Sequence, residues 1–154
     1  MVLKLSEKDL EALSRFRYVS GTRHENSINA AHLLEGTFLK SYLEEVSTKI
    51  GSPSLKVTAS IFMKRYAFLS VMALYSMSAW DKKLDLSIRN LWVEEDLSDG
   101  QWFLKFSFSN TEVYELDHEN RDEWRKEVIR NLFADHFHYW IFTIPGLRII
   151  RWRR

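Results

Sequence analysis

Cysteine is absent from the 154 residues of this chain. Disulfides, thiolate-held iron–sulfur clusters, cysteine–zinc sites and cysteine nucleophiles are therefore excluded within it. Only two prolines and five glycines occur, too few for a low-complexity chain. With 45% hydrophobic and 14% aromatic residues, the composition is that of a packed globular protein. Charge of one sign is also lacking. The 22 basic residues stand against 21 acidic ones, so no global field draws the molecule to nucleic acid or to an anionic membrane. The most apolar window, Tyr66 to Trp80, has 15 residues including three serines, short of the roughly 20 that cross a bilayer core. It is expected to be a buried helix and not a transmembrane segment. The N-terminus lacks a basic start followed by a long apolar run, which makes a cytoplasmic location the expectation. Glycine-rich phosphate loops, dinucleotide fingerprints and G-x-S-x-G elbows are missing as well.

What is present reads as one domain over 1–154. Ser6 and Asp9 form a capping-box pair, and Leu10, Leu13 and Phe16 follow at helical spacing. They predict an N-terminal helix within 1–19 that ends near Tyr18. A polar connection leads to Asn26 or Ser27 as the cap of a second helix. Its apolar residues Ala31, Leu34, Phe38, Tyr42 and Val46 share a face until Gly51-Ser52-Pro53 stops it. Gly36, inside that pattern, is expected to mark close packing against a neighbour. A third helix, Leu55 to Ala79, is apolar on nearly every side after Arg65 and belongs at the centre.

Leu84, Leu86 and Ile88 then alternate with polar residues as a strand with one wet face. The phase shifts at Asn90, which suggests a bulge or strand end. Ser98-Asp99-Gly100 closes a hairpin onto Trp102, Leu104, Phe106 and Phe108, and a third strand is expected near Val113–Leu116. Asn120 and Glu123 open a last helix, carried by Trp124, Val128, Leu132, Phe133, His136 and Trp140 toward Pro145-Gly146. A basic tail, 147–154, follows. The predicted fold class is α+β: helices packed on a small antiparallel sheet in a helix-rich single domain.

Few residues offer chemistry. His136 and His138 are two apart, which turns them to different sides of a helix, unlike an i, i+4 metal pair, so no metal site is expected. His24 sits in a polar loop, and the pairs Glu44-Glu45 and Glu94-Glu95 read as solvated. Arg148, Arg151, Arg153 and Arg154 offer a polyanion contact, although basic ends are often simply hydrated. Lys64 and Arg65 differ because they interrupt the most apolar helix, where a cation needs a carboxylate, a carbonyl or an anionic ligand. Either Arg65 pairs with an acidic residue such as Asp85 while Lys64 snorkels to water, or the two cations face a ligand.

The run A-S-I-F-M-K-R-Y-A-F-L, then A-L-Y-S-M, then L-D-L-S-I-R-N, and later N-L-F-A-D-H, resembles the FhuF-like ferric-siderophore reductase family. Similar segments occur in the C-terminal part of IucA/IucC-type siderophore synthetases. The likeness covers roughly Ala30 to Gly146. It implies a link to iron acquisition and a ferric siderophore as partner, with Lys64, Arg65 and Arg89 as cations lining a ligand cleft. The family's reductases carry a cysteine-rich segment that holds a two-iron cluster. That cofactor has no ligands here, so the chain by itself is not expected to be the family's electron donor. Three readings stay open: a non-redox scaffold that binds a ferric siderophore, a fragment of a reductase, or an interaction module docking a partner or itself through the C-terminal helix and tail.

Overall fold

The computed structural model describes residues 2–20, 25–116 and 118–137. Its elements are β1 (Val2–Lys4), α1 (Glu7–Ser14), β2 (Ile28–Asn29), α2 (Gly36–Ile50), α3 (Leu55–Tyr66), α4 (Phe68–Trp80), β3 (Lys82–Leu84), β4 (Leu91–Asp96), β5 (Phe103–Phe108), β6 (Glu112–Glu115) and α5 (Arg121–Leu132). The fold is α+β. The strands form two antiparallel three-stranded sheets, ordered β1-β6-β3 and β2-β4-β5, where the sequence suggested one. Val113 of β6 lies between Leu3 and Leu84, and Leu91 of β4 opposite Phe108.

Local chemistry explains most boundaries. The capping box forms as expected: Ser6 Oγ accepts from Asp9 N–H at 3.2 Å, and the Asp9 carboxylate accepts from Ser6 N–H at 3.0 Å. Helix α1 nevertheless ends at Ser14 and not near Tyr18. Arg17 takes a left-handed φ of 74°, and Tyr18 bridges to Phe106, so the chain leaves the helix to run along β5. The second cap is Asn29, not Asn26 or Ser27: its side chain accepts from Ala31 N–H and opens a 3-10 turn, Ala30–Leu34. Glu35 is extended, so α2 starts afresh at Gly36. Gly36 therefore begins a helix instead of sitting inside one, and no atom within 4 Å would meet a Cβ there. The expected close packing at Gly36 does not occur.

The third helix is kinked into α3 and α4 at Ala67, whose N–H still reaches Met63 O at 2.9 Å. Taken together, Leu55–Trp80 is 26 residues, long and apolar enough by length and composition to cross a membrane. This corrects the shortfall inferred from Tyr66–Trp80 alone. Its inward face, Phe62, Tyr66, Leu69 and Met72, is fully buried, worth about 1.5–3 kcal/mol for each such side chain. The outward face is not covered: Val71 and Leu74 are exposed. The core also takes Leu33, Leu43, Val46, Leu91, Leu104 and Phe106, while Met77, Leu116, Trp124 and Val128 form a smaller cluster under α5.

The strand expected over Leu84–Ile88 is absent. β3 ends at Leu84 because Asp85 and Asn90 capture the following backbone. Asp85 Oδ1 accepts from Ser87 N–H at 3.1 Å, and Asn90 Nδ2 donates to Asp85 O at 2.7 Å. The hairpin closing at Ser98–Gly100 forms as read, joining β4 to β5. Helix α5 begins after Asn120 and passes at Phe133–Phe137 into a π-helical turn. The expected continuation through His138 and Trp140, and the tail with Arg148, Arg151, Arg153 and Arg154, lie outside the described residues, as does His24.

Candidate functional site

Arg65 is the second-last residue of α3, beside Tyr66. Tyr66 is fully buried and packs its ring on Phe62, Phe106 and Phe137 at centroid distances of 5.7, 5.6 and 6.2 Å. One residue is about a 100° turn of a helix, so anchoring Tyr66 inward leaves Arg65 at the rim of the buried face. There its guanidinium carbon lies 4.5 Å from the centre of the Phe103 ring. The Arg17 guanidinium carbon lies 4.2 Å from the same centre and 5.4 Å from that of Phe68. Its backbone is pinned to β5: Phe106 N–H donates to Arg17 O at 2.9 Å and Val19 N–H to Phe106 O at 2.8 Å.

Two guanidinium groups thus share one phenylalanine, and neither forms an ion pair or hydrogen bond with any described residue. Arg65 Nε is buried without a partner. The ring faces offer each cation about 0.5–2 kcal/mol. A buried donor left unpaired costs about 1–3 kcal/mol, so attraction to the rings does not complete the site. The pairing of Arg65 with Asp85 does not form; Asp85 is engaged with its own turn. Chemically, the cluster holds two guanidinium groups that form no ion pair with a described residue, a donor type that pairs with oxyanions.

The set Lys64, Arg65 and Arg89 is not gathered into one cleft. Lys64 is exposed and lines a shallow apolar groove on α3 with Lys56, Val57 and Ile61. Arg89 is exposed on the turn before β4, where its carbonyl accepts from Asn29 Nδ2. It sits at the Leu91–Phe108 end of the β4–β5 hairpin, whereas Phe103 lies at the Asp96 end, about 17 Å along the strands. Arg17, not singled out from the sequence, takes the place of Lys64 and Arg89. The available signal was the alternation Arg15-Phe16-Arg17-Tyr18, which interleaves cations with aromatics.

The other candidates are structural. His136 is fully buried, its Nδ1 2.9 Å from Tyr66 Oη and its Nε2 on Leu86 O. A carbonyl only accepts, so Nε2 carries the proton and Nδ1 accepts from Tyr66. Burial lowers the His136 pKa, against opposing pulls from the Leu86 carbonyl and Asp135. Glu94 accepts from Ser27 Oγ, and Glu95 from Lys49 Nζ and Trp102 Nε1, so this pair is tied into the fold and not solvated. A cleft of about 250 Å³ opens between α4, α5 and the turn after β3. Its Lys83 is bound to Glu127 and its Asp85 to Ser87.

No protein-family model, no curated protein and no solved structure matches this chain. The two-iron cluster of the FhuF-like reductases does not fit the residues, because a thiolate site needs four cysteines and the sequence has none. Among the described residues no group of three or more His, Asp or Glu side chains converges to hold a metal ion.

Proposed function

We propose that this chain is a cytoplasmic, siderophore-linked iron-utilisation protein that acts as a non-redox, FhuF-like scaffold and binds a ferric siderophore. The observation that supports the reading is the Arg17–Arg65 pair on Phe103, two cations that form no ion pair with a described carboxylate; Asp96, opposite Phe103, is paired with Lys105. Many ferric chelates carry negative charge, and a paired guanidinium site attracts them. Iron enters as cargo in this reading, not as a resident cofactor, and no reaction is assigned to the chain. Titration with ferric siderophores, followed by tryptophan fluorescence, tests it. The chain's six tryptophans carry the signal. Saturable quenching that weakens in Arg65→Met supports the proposal, and no response at millimolar ligand rejects it.

A second reading has its own observation. Val71 and Leu74 on α4, and Ile129 and Phe133 at the end of α5, are exposed, as apolar docking surfaces are. They suit either further residues of a longer reductase or a protein partner, including a second copy. Sedimentation of the chain across a concentration series separates these from a monomeric binder.

A further inference from the structure

We infer that the cleft between α4, α5 and the turn after β3 binds a small organic ammonium ion with a short apolar body. The cleft shares no residue with the Arg17–Phe103–Arg65 cluster and is independent of the siderophore reading. Its volume, about 250 Å³, is just under the roughly 300–1,000 Å³ of drug-sized ligand pockets and suits a smaller molecule. The floor is apolar and fixed before any ligand arrives. Ala73 of α4, Leu84 of β3, and Val128 and Leu132 of α5 line it while remaining buried in the fold. Val128 is packed with Met77, Leu116 and Trp124, and Leu84 is paired with Val113 across the sheet. An apolar body gains by leaving water for such a floor.

The rim carries the charge. Asp85 lines the cleft from the turn after β3, and Asp135 from the π-helical turn after α5. One hydrogen bond joins these two walls: His136 Nε2 donates to Leu86 O, one residue along the chain from each acid. The two carboxylates are thereby held on one cleft, and neither forms an ion pair with a described residue. Ser87 N–H occupies one oxygen of Asp85, and no described donor engages the other or the Asp135 carboxylate. Lys83, the one cation among the described lining residues, is held by Glu127 at 3.2 Å. Lys83 and Glu127 cancel, which leaves two negative charges at the cleft. Asp135 is exposed and Asp85 half-buried, so a ligand entering from solvent reaches both with its ammonium while its body rests on the floor. An anion is repelled there. A metal ion is the poorer occupant, because no group of three or more acids or histidines converges among the described residues and the apolar floor adds no oxygen.

The test titrates the full, isotope-labelled chain with three probes of matched size and different charge: 2-phenylethylamine, 2-phenylethanol and phenylacetate. Amide chemical shifts are the readout. The amine is expected to shift residues of the β3 turn and of α5 and to bind at least about tenfold more tightly than the alcohol, with no binding of phenylacetate. Asp85→Asn keeps an oxygen for Ser87 N–H and so preserves the turn; Asp135→Asn lies at an exposed position. Each is expected to weaken the amine about fivefold to tenfold and to leave the alcohol unchanged, which a merely structural role for these residues would not do. Asp135→Lys reverses the charge at the mouth and is expected to abolish amine binding while keeping the parent's melting temperature. Lys64→Ala, outside the cleft, is the control and binds as the parent does. The inference is overturned if the alcohol or phenylacetate binds as tightly as the amine, if the amine is indifferent to both asparagine variants, or if millimolar amine shifts no residue of the cleft.

Discussion

Asn90 holds together the turn that replaces the expected strand. It is buried, and its amide donates to Asp85 O at 2.7 Å and Asn110 O at 3.2 Å while its Oδ1 accepts from Asn110 N–H at 2.8 Å. Asn90→Ala leaves these buried groups unpaired and should lower stability by about 2–3 kcal/mol in urea unfolding; a change under about 0.5 kcal/mol would show that the network is dispensable. From the sequence, Asn90 was visible only as a shift of phase, because the partner carbonyls come from turns on both sides of the β4–β5 hairpin. Phe103 makes a second residue-level case. If its ring holds the two guanidiniums, Phe103→Leu and Arg65→Met should be non-additive, with a coupling of about 0.5–2 kcal/mol in a double-mutant cycle. Strict additivity would reduce the ring to ordinary packing.

Among the elements, helix ends were the most legible feature, since their signals are local. The capping box at Ser6 and Asp9 and the stop at Gly51 follow from side chains within a turn of the boundary. Gly51 has a φ of 64°, and a Cβ at this position would have no neighbour within 4 Å, so Gly51→Ala meets no clash and isolates the backbone penalty. It should cost about 1 kcal/mol, measured as a shift in the denaturation midpoint at unchanged m-value. The internal breaks at Glu35 and Ala67 were not legible: the apolar spacing runs through both, and only packing against the sheets decides where each helix bends. The short strands β1 and β2 were missed for a related reason. Two or three residues hold no period, and their pairing with β6 and β4 is a long-range event.

For the whole molecule, pH dependence follows from two groups in separate windows. His136 has a folded pKa below its ordinary 6.5, from burial first and despite Leu86 and Asp135. The unfolded chain therefore binds the proton more readily. Stability is fully present above about pH 6.5 and falls as pH drops from there toward the lowered folded value. Asp96 behaves as a carboxylate held down to about 2 by Lys105 and the Ser98 N–H. Its contribution is present above its ordinary 3.8 and disappears as pH falls through about 2. Chemical denaturation between about pH 7 and 5 should show a decline that His136→Gln flattens, whatever that variant's absolute stability. An unchanged slope would assign the decline to other groups.

Composition and periodicity alone determined the α+β class, the β4–β5 hairpin and the exclusion of thiolate chemistry, because each depends on residue type or on spacing within one element; the apolar stretch over 55–80 was read as helix, but its kink at Ala67 and its uncovered outward face, Val71 and Leu74, were decided by packing. The site was only half legible. Arg65 stood out as a cation in an apolar helix, but its neighbours were chosen by tertiary structure, which removed Arg89 to the far end of a hairpin and brought in Arg17. Sequence order records how far apart two charges are along the chain. Which charges share an aromatic ring depends on how a left-handed turn, a helix end and a strand start meet in space, and that is a property of the packed molecule.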